Sequence, residues 1–426
     1  MASLAGVAAL GVAGLREVGD AQHMNTEFGH IDDVIRIDLT GRGAPPRSVG
    51  PGADIAPVEV MAQLVRDYDG IVHQGGVYFP VAYQFVRELG RGRQGQVFLA
   101  WHHGARGCVT EHAIKVFDPR LYESAEEYWT DMGRIAQQLS LLQRIQIPTS
   151  VARHAYEETR GIGYIQMDAI DGLDVRRLLS PSHLKVARGR STEAEWNRFS
   201  TTIFRVDGER VRVQPGIAIY VMRRVLRSLE RLHAMGFLHS DIKPGNIMID
   251  RLGSVKVIDF GRALRVGESA AFLLGSPMYM APEQHQRQQG SVQSDLYSLG
   301  LVGIEMLRGV TLVEGESIDE ENLLAAKQVL PDRLYEMLPE HVCNNHALVD
   351  ILRRMIQVDP ANRYSSAREA DVGDAGLRVI DKQLVRADLD SEYARDLADY
   401  LRKLVDPDTG RIELTPLDGG NSDIVR

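Results

Sequence analysis

The most constraining feature of this 426-residue chain is the segment HSDIKPGNIMID, residues 239–250, with a second strand-like run, VKVID, shortly behind it. Both runs alternate apolar and polar residues, and the turn-forming letters RLGS separate them, so the pattern predicts a β-hairpin. Folding the hairpin about Leu252 and Gly253 pairs residues whose numbers sum to about 505. Asn246 and Asp259 are therefore predicted to meet at its open end.

Four polar side chains around this hairpin indicate a chemistry. Oxygen ligands from Asn246 and Asp259 suit Mg²⁺, which takes few protein oxygens and shares the rest of its shell with water and phosphate. Asp241 is near enough in sequence to face the same site as a proton acceptor, and Lys243 is placed to neutralise charge on a transferring phosphoryl group. The set predicts in-line phosphoryl transfer, in which the protein contributes mainly positioning and charge stabilisation.

A glycine-rich stretch, LGRGRQGQV at residues 89–97, is the second motif. Gly90, Gly92 and Gly95 form GxGxxG, which in dinucleotide-binding folds opens a helix and is followed about 20 residues later by an acidic residue. Here the glycines run straight into the strand-like QVFLA, and Lys115 stands at the position of that acid. The pattern predicts a glycine-rich hairpin whose N–H groups approach phosphates. Lys115 would either point at those phosphates or be an exposed lysine at a strand end.

The rest of the chain divides into a strand-rich and a helix-rich part. A Gly- and Pro-rich linker at 41–57 precedes strand candidates that start at Tyr83 and predict a small antiparallel sheet. Helices are predicted over 124–145, which opens with a capping box, and over 216–235. Residues 181–214 are interpreted as a polar insertion of unclear structure.

One more helix is predicted after Ser391. An apolar stripe of Tyr393, Leu397, Leu401 and Leu404 runs along it at helical spacing. Two interpretations stay open: the stripe packs on the rest of the protein, or it binds a partner.

Charge and composition argue against several function classes. A net charge of −9 disfavours a broad nucleic-acid footprint. The apolar start MASLAGVAALGVAGL falls short of the roughly 18 residues that a membrane span needs, and no later stretch could cross a membrane. It is interpreted as an amphipathic or disordered leader, with a targeting segment as the alternative. Cys108 and Cys343 match no metal or disulfide spacing, which indicates a reducing compartment, and we expect a cytoplasmic protein.

From Tyr83 to Ser366 the motifs and their order resemble the eukaryotic-like (Hanks-type) serine/threonine protein kinase family. The resemblance implies an α+β, bilobal protein kinase-like fold with a small antiparallel β-sheet N-lobe and a mostly helical C-lobe. Partner or autoregulatory contacts are expected in residues 1–80 and 391–405. The implied domains are an N-terminal extension at 1–80, the N-lobe at 81–167, the C-lobe at 168–370 and a C-terminal helical extension at 371–426.

The resemblance also implies ATP and Mg²⁺ as cofactors. Asp241 looks like the catalytic base, assisted by Lys243 and by Lys115, which would hold the α- and β-phosphates. Asn246 and Asp259, the latter in a DFG motif, would hold Mg²⁺.

Residues similar to the family's ATP site follow from the same resemblance. Met167 looks like the gatekeeper, Asp168–Ile170 like the adenine-binding hinge, and Asp174 like a ribose contact. The whole implied nucleotide set is Leu89, Gly90, Gly92, Gly95, Val97, Ala113, Lys115, Met167, Asp168, Ile170, Asp174 and Met248.

Two features favour a protein substrate with a Ser or Thr acceptor. Lys243, two residues after the base, is similar to serine/threonine kinases. The stretch GSPMYMAPE, ending at Glu283, resembles the segment that positions the substrate peptide. Arg363 looks like the buried ion-pair partner of Glu283, and Asp295 like a residue that supports the catalytic loop. Small-molecule phosphotransferases lack this peptide shelf and are disfavoured.

Gln138 departs from the family pattern. Counting back from Pro148 reaches Gln138 where a Glu should pair with Lys115, and an amide supplies no opposite charge. Either Glu126 or Glu127 serves from a re-registered helix, or activity is reduced. The alternative function is accordingly a pseudokinase, a nucleotide-responsive scaffold.

Ser240 is a second departure, because many family members have an Arg before the base that receives a phosphate from the activation loop. We hypothesise that activity does not require phosphorylation between Asp259 and Glu283. Loss of activity on replacing Ser269 and Ser276 with Ala would count against this hypothesis.

Overall fold

The computed structural model describes residues 57–77, 82–92, 94–143, 151–268, 276–313, 319–384 and 389–412. All of them lie in one compact unit, Ile55–Arg426. Most of the expected N-terminal extension, including the apolar start and nearly all of the linker, falls outside the described residues.

The N-terminal part is a six-stranded antiparallel sheet with two helices. The elements are α1 (Pro57–Gln74), β1 (Gly76–Val77), β2 (Tyr83–Gly92), β3 (Gly95–His103), β4 (Val109–Phe117), α2 (Ala125–Leu142), β5 (Arg153–Thr159) and β6 (Ile162–Asp168). The strand order of the sheet is β1-β2-β3-β4-β6-β5.

Helix α1 belongs to this lobe, although the sequence places it in the extension. Leu64, Tyr68 and Ile71 are buried in the same apolar cluster as the sheet residues Ile114 and Tyr164. Residues 57–77 thus complete the N-lobe core.

Helix α2 starts where its cap predicts. The Ser124 hydroxyl accepts a hydrogen bond from the Glu127 N–H at 3.2 Å. The Glu127 carboxylate accepts from the N–H of Glu123 at 2.9 Å, one residue earlier than a capping box requires. The buried face includes Ile135 and Leu142, and the predicted end at residue 145 lies outside the described residues.

The C-terminal part is mostly helical and has its own apolar core. The elements are β7 (Gly172–Asp174), α3 (Val175–Leu178), α4 (Leu184–Gly189), α5 (Glu193–Thr202), β8 (Phe204–Asp207), β9 (Arg210–Val213), α6 (Pro215–Ala234), β10 (Phe237–Leu238), β11 (Ile247–Asp250), β12 (Val255–Val257), β13 (Leu264–Arg265), α7 (Pro282–His285), α8 (Val292–Arg308), α9 (Glu320–Met337), α10 (Glu340–Cys343), α11 (His346–Met355), α12 (Ala367–Val372), α13 (Leu377–Leu384) and α14 (Leu389–Arg402). The small sheets of this part have the strand orders β12-β11-β7, β10-β13 and β8-β9. The predicted bilobal α+β fold is confirmed.

Helix α6 is the central helix of this lobe. Pro215 occupies its first turn, where the missing N–H costs nothing. The predicted stripe, including Val221, Val225 and Leu232, is fully buried. Gly236 follows the helix with φ of +78°, a left-handed conformation that favours glycine.

Residues 181–214, interpreted as a polar insertion of unclear structure, have regular secondary structure and contribute to the apolar core; that they are an insertion stays a prediction. The segment forms α4, α5 and the hairpin β8–β9. Phe199, Ile203, Phe204 and Val211 are fully buried in the C-lobe core. Charged residues separate these apolar positions, and each element is short. The sequence therefore shows neither a helical nor an alternating apolar period over this segment.

The apolar face of α14 packs on the C-lobe, in favour of the first of the two interpretations. Leu397, Leu401 and Leu404 are each about 1% exposed. At Gly253, in the turn between β11 and β12, an added Cβ would lie 1.8 Å from the Ala394 carbonyl oxygen. The helix therefore lies directly on the turn of the β11–β12 hairpin.

Residues 405–412, which we call the C-terminal strap, contact both lobes. The Ile412 N–H donates to the Asp171 carboxylate at 3.0 Å, and Arg251 donates to the Gly410 carbonyl at 3.0 Å. Arg411 forms an ion pair with Glu111 on β4. In the described part of the chain, no helix is long and apolar enough to cross a bilayer.

Candidate active site

Helix α8 supports the loop that carries HSDIKPGN through hydrogen bonds to its backbone. Asp295 is 2% exposed, and its carboxylate accepts hydrogen bonds from the backbone N–H groups of His239 and Ser240 at 2.8 and 2.9 Å. Its Oδ2 also lies 2.8 Å from Nε2 of His233. Ser240 has a φ of +63°, which these contacts offset. The support expected from Asp295 is present.

Asp241 is the centre of a converging polar cluster. Its Oδ2 accepts from the Asn246 amide at 3.0 Å and lies 3.4 Å from the Lys243 ammonium. Its Oδ1 accepts from the Ser276 N–H and hydroxyl, each at 3.2 Å, and from Arg262 at 3.5 Å. The carboxylate thus has both a hydroxyl and positive charge at contact distance.

The electrostatics of Asp241 favour its ionised form. Burial by itself would raise the pKa of this carboxyl, but the positive charges of Lys243 and Arg262 outweigh burial and lower the pKa below its usual value. Asp241 is therefore a carboxylate at neutral pH.

The predicted hairpin is present, with a register one residue away from the expected one. Ile247 pairs with Val257, and the Ile258 N–H donates to the Asn246 carbonyl at 2.9 Å. The reason lies in the turn, where the Asp250 carboxylate accepts from the N–H groups two and four residues later and so closes a three-residue loop. Asp259 follows directly after the residue opposite Asn246.

Lys115 projects from β4 into this region. Its ammonium donates to Oδ1 of Asp259 at 2.6 Å and to the amide oxygen of Gln94 at 3.0 Å. Burial would raise the pKa of Asp259, but the ion pair with Lys115 holds it far below its ordinary value. Lys115 and Asp259, 144 positions apart in sequence, thus meet through one ion pair.

The glycine-rich stretch forms the β2–β3 hairpin, as predicted. Gly92 pairs with Gly95 at its end, Gly90 pairs with Val97, and Leu89 lies in an irregular step of the register. Gly95 has a φ of +140°, and a Cβ there would lie 1.9 Å from the Val116 carbonyl oxygen. Only glycine fits this close approach.

The residues proposed to contact the base of ATP lie on β3, β4 and β6 of the N-lobe sheet and on β11 of the C-lobe. Ala113 on β4 pairs with Met167 on β6, and Val97 on β3 pairs with Lys115. Met248 on β11 pairs with Asp174 on β7. These pairings place the set on both sides of the connection between the lobes.

The hinge residues have local partners of their own. Oδ1 of Asp168 lies 2.6 Å from the His154 ring, and Ile170 lies between β6 and β7. The Asp174 carboxylate caps α3 by accepting from the Arg177 N–H at 2.8 Å. Its role as a ribose contact stays a prediction.

Gln138 lines a small cavity with Lys115 and Asp259, yet it does not bond to the lysine. Its amide nitrogen donates to the Ala263 carbonyl. Its side-chain oxygen is buried without a partner in the described part of the chain. Neither alternative glutamate serves, since the one at 126 is exposed and the one at 127 caps α2.

The end of the activation segment is anchored by a buried ion pair. Arg363 donates to the two carboxylate oxygens of Glu283 at 2.8 and 2.7 Å, and its side chain is fully buried. The expected Glu283–Arg363 partnership is thus seen as a bidentate contact. Ser276, at the other end of this stretch, accepts from Lys243 at 2.8 Å.

Sequence reasoning missed three members of the site. Gln94 was regarded only as a loop residue of the glycine-rich stretch, and Ser276 only as a phosphorylation site. Arg262, which directly follows the DFG motif, was not considered. A signal was present for both Arg262 and Ser276, since Arg262 is adjacent to the DFG motif and Ser276 lies inside GSPMYMAPE. Ser276→Ala is consequently not a clean test of phosphorylation, because it alters the partners of Asp241 itself.

Comparison with known proteins identifies this arrangement. A family model described as protein kinase domain matches residues 83–371. The serine/threonine-protein kinase PrkC of Bacillus subtilis is 28% identical over 302 residues, which cover 68% of this chain and 40% of PrkC. A probable serine/threonine-protein kinase of Clostridium perfringens is 34% identical over 164 residues, 37% of this chain and 23% of that protein.

A crystal structure of the PknI kinase domain of Mycobacterium tuberculosis is similar over 69% of this chain and 94% of that one, with 23% identity and a TM-score of 0.47. The chain spans less than half the length of the curated relatives named above. The family model covers more than half of the chain and includes every motif of the site, so the chain belongs to the protein kinase family, as the resemblance to eukaryotic-like kinases predicts.

Proposed function

We propose that this chain is a serine/threonine protein kinase that transfers the terminal phosphoryl group of ATP, with Mg²⁺, to hydroxyls of protein substrates. The observation that carries the proposal is the surroundings of Asp241. One ionised carboxylate touches a hydroxyl at 3.2 Å and lies 3.4 Å from a lysine ammonium. This is the combination that deprotonates an alcohol while neutralising phosphoryl charge.

Asp241 would act as the general base. The Ser276 hydroxyl shows that an aliphatic alcohol fits between Asp241 and Lys243 at hydrogen-bond distance. An incoming Ser or Thr hydroxyl placed beside it would pass its proton to Asp241, which is ionised at neutral pH. Lys243 would bind the phosphoryl oxygens during transfer.

Asn246 and Asp259 fit the oxygen donor set of Mg²⁺. The Asn246 amide nitrogen donates to both the carbonyl and the carboxylate of Asp241, which leaves its side-chain oxygen for a metal. Asp259 uses Oδ1 for Lys115 and retains Oδ2. A pair of protein oxygens is what Mg²⁺ takes when phosphates complete its shell. When bound, the metal would neutralise charge on the phosphates, while Lys115 holds them from the β-sheet side.

The decisive experiment is transfer of ³²P from ATP to a generic basic protein and to peptides with a single Ser, Thr or Tyr. Asp241→Asn should reduce incorporation by at least about 10²-fold, the usual contribution of a positioned base. Asp332→Asn, on the exposed face of α9, is the matched control and should keep wild-type activity. Equal incorporation by the wild type and Asp241→Asn would refute the assignment, and labelling of the Tyr peptide alone would refute the acceptor class.

The comparisons do not support the pseudokinase alternative, since the curated relatives are named as kinases. Its single basis was Gln138, and the structure pairs Lys115 with Asp259 instead of with helix α2. We retain, as proposals, a cytoplasmic location and activity without phosphorylation between Asp259 and Glu283. Ser269 lies outside the described residues.

A further inference from the structure

A completely buried lysine on α9 takes no part in the proposed phosphoryl transfer. Lys327 is 0% exposed. Lysine is almost never fully buried unless its ammonium is paired, because burying an unpaired charge is costly. The partners of Lys327 therefore indicate why this position carries a lysine.

The Lys327 ammonium binds the end of the activation segment. Its Nζ donates to the carbonyl oxygens of Pro277 at 2.6 Å and Met280 at 2.7 Å, and it lies 2.8 Å from Nε2 of His285. An ammonium has three N–H donors, and these three acceptors use all of them. Both carbonyls belong to residues 276–283, which resemble the segment that positions the substrate peptide and which we call the peptide shelf.

His285, the last residue of α7, accepts this bond because of a contact on the other side of its ring. Nδ1 lies 3.0 Å from the Glu320 carboxylate on α9, which is an acceptor, so Nδ1 carries the ring proton. Nε2 is then the acceptor that faces Lys327. The peptide shelf, α7 and α9 thus meet at one ammonium group.

The ionisation of His285 affects these contacts. Burial and then the positive charge of Lys327 lower the pKa of His285, which keeps the ring neutral at pH 7. Burial also lowers the pKa of Lys327 below its usual value, and the charges of Glu320 and Glu283 oppose this effect. A protonated ring would direct an N–H at the ammonium and compete for the Pro277 carbonyl, which lies 3.2 Å from Nε2.

The peptide shelf is anchored at both of its ends. Ser276 donates to Asp241 through its N–H and its hydroxyl, each at 3.2 Å, and Glu283 pairs with Arg363. The two carbonyls that accept from Lys327 lie between these ends. The lysine therefore fixes the middle of the shelf, beside the residue that contacts the proposed base.

We propose that Lys327 is a positioning residue for the protein substrate: it holds two carbonyls of the peptide shelf and so sets the surface that the acceptor peptide contacts. This inference rests on the proposed kinase function. None of the three partners of Lys327 belongs to the catalytic cluster around Asp241. Loss of the lysine should therefore weaken peptide binding and leave nucleotide binding unchanged.

The test is steady-state kinetics of the full chain with ATP and a serine peptide that contains no histidine. Lys327→Met keeps an unbranched side chain but removes the donors. It should raise the KM for the peptide at least about tenfold, because hydrogen bonds from a charged group to the shelf are lost. The KM for ATP and the calorimetric affinity for a non-hydrolysable ATP analogue should not change. Lys382→Met, on an exposed position of α13, is the matched control and should behave like the wild type.

Two kinetic results would overturn the proposal. One is an unchanged KM for the peptide in Lys327→Met. The other is a parallel loss of peptide and nucleotide binding, which would show a general contribution to stability instead of positioning. His285→Leu removes one acceptor of the ammonium and should also raise the KM for the peptide, so it provides the test if Lys327→Met does not fold.

The pH dependence tests the part played by His285. In the wild type, the KM for the peptide should rise as the pH falls below about 6.5, the ordinary pKa of histidine, because ring protonation disrupts the contact with Lys327. His285→Gln, whose amide oxygen can accept from the ammonium, should flatten this rise. A KM for the peptide that does not depend on pH in the wild type would contradict the assignment.

Hydrogen exchange distinguishes failure of this inference from failure of the proposed function. If the wild type phosphorylates no peptide, the kinase proposal fails, yet the amides of residues 278–283 should still exchange faster in Lys327→Met than in the wild type. The amides of α6 should keep their rates in both proteins. Unchanged exchange in the peptide shelf would overturn the positioning role whatever the activity.

Discussion

The Gln94 side chain accepts a hydrogen bond from the ammonium of Lys115, which the proposed nucleotide also needs. Removing this side chain should therefore tighten nucleotide binding. The Lys115 ammonium has three N–H donors, and the structure commits two of them, to Asp259 at 2.6 Å and to Gln94 at 3.0 Å. Phosphates must compete with at least one of these partners. The neutral amide is the weaker competitor, and its own nitrogen is buried without a partner in the described part of the chain.

The size of the effect follows from the exchange. A hydrogen bond to a charged group contributes about 1.5–3 kcal/mol. When a phosphate displaces Gln94, the Lys115 ammonium gains a new acceptor, but the amide oxygen of Gln94 loses the bond to Lys115. A net gain of about 1 kcal/mol in Gln94→Ala corresponds to roughly fivefold tighter binding of Mg-ATP.

Calorimetric titration with a non-hydrolysable ATP analogue measures this gain directly. Gln84→Ala is the control, because Gln84 lies exposed on β2 and contacts His103 rather than Lys115. Unchanged or weaker binding in Gln94→Ala would show that Gln94 positions Lys115 for the nucleotide instead of competing with it.

Three further outcomes are expected. Gly95→Ala should abolish Mg-ATP binding in the same assay, because its Cβ would lie 1.9 Å from the Val116 carbonyl oxygen; retained affinity would mean that the loop can move aside. Glu283→Ala should lower the free energy of unfolding by about 3–5 kcal/mol, because it leaves the charge of Arg363 buried and uncompensated. Urea denaturation measures this loss, and a loss below about 1 kcal/mol would indicate that water reaches the guanidinium. Burial lowers the pKa of His183 from 6.5 to about 4, so the unfolded chain binds the extra proton and about 3 kcal/mol of stability is lost as pH falls from about 6.5 to 4. His183→Gln should flatten that part of the stability profile, and an unaltered slope would contradict the assignment.

Local patterns predicted the parts of the fold that depend on neighbours in sequence. The 3.6-residue period of α6, the cap of α2 and the alternation in β11 and β12 each need only a few consecutive residues. The register of the β11–β12 hairpin was missed by one residue. It depends on the Asp250 side chain, whose contacts lengthen the turn to three residues.

Contacts between distant segments that no recognised motif marks were beyond sequence patterns. The bond from Lys115 to Gln94 joins residues 21 positions apart, and nothing in the loop composition marks it. The same holds for the Gln138 amide, which donates to Ala263 across 125 positions. The elements within 181–214 are too short for a period to emerge, although their apolar residues are buried.

The C-terminal strap affects how the gene should be trimmed for expression. A fragment cut to the matched region, 83–371, would lack α1 on one side and α13, α14 and the strap on the other. Its N-lobe core would lack Leu64, Tyr68 and Ile71, and the turn at Gly253 would lose the helix that covers it. Asp171 and Glu111 would lose their partners from the strap, and with them its contacts to both lobes. For this chain the boundaries of the homologous region are therefore poor boundaries for a recombinant product.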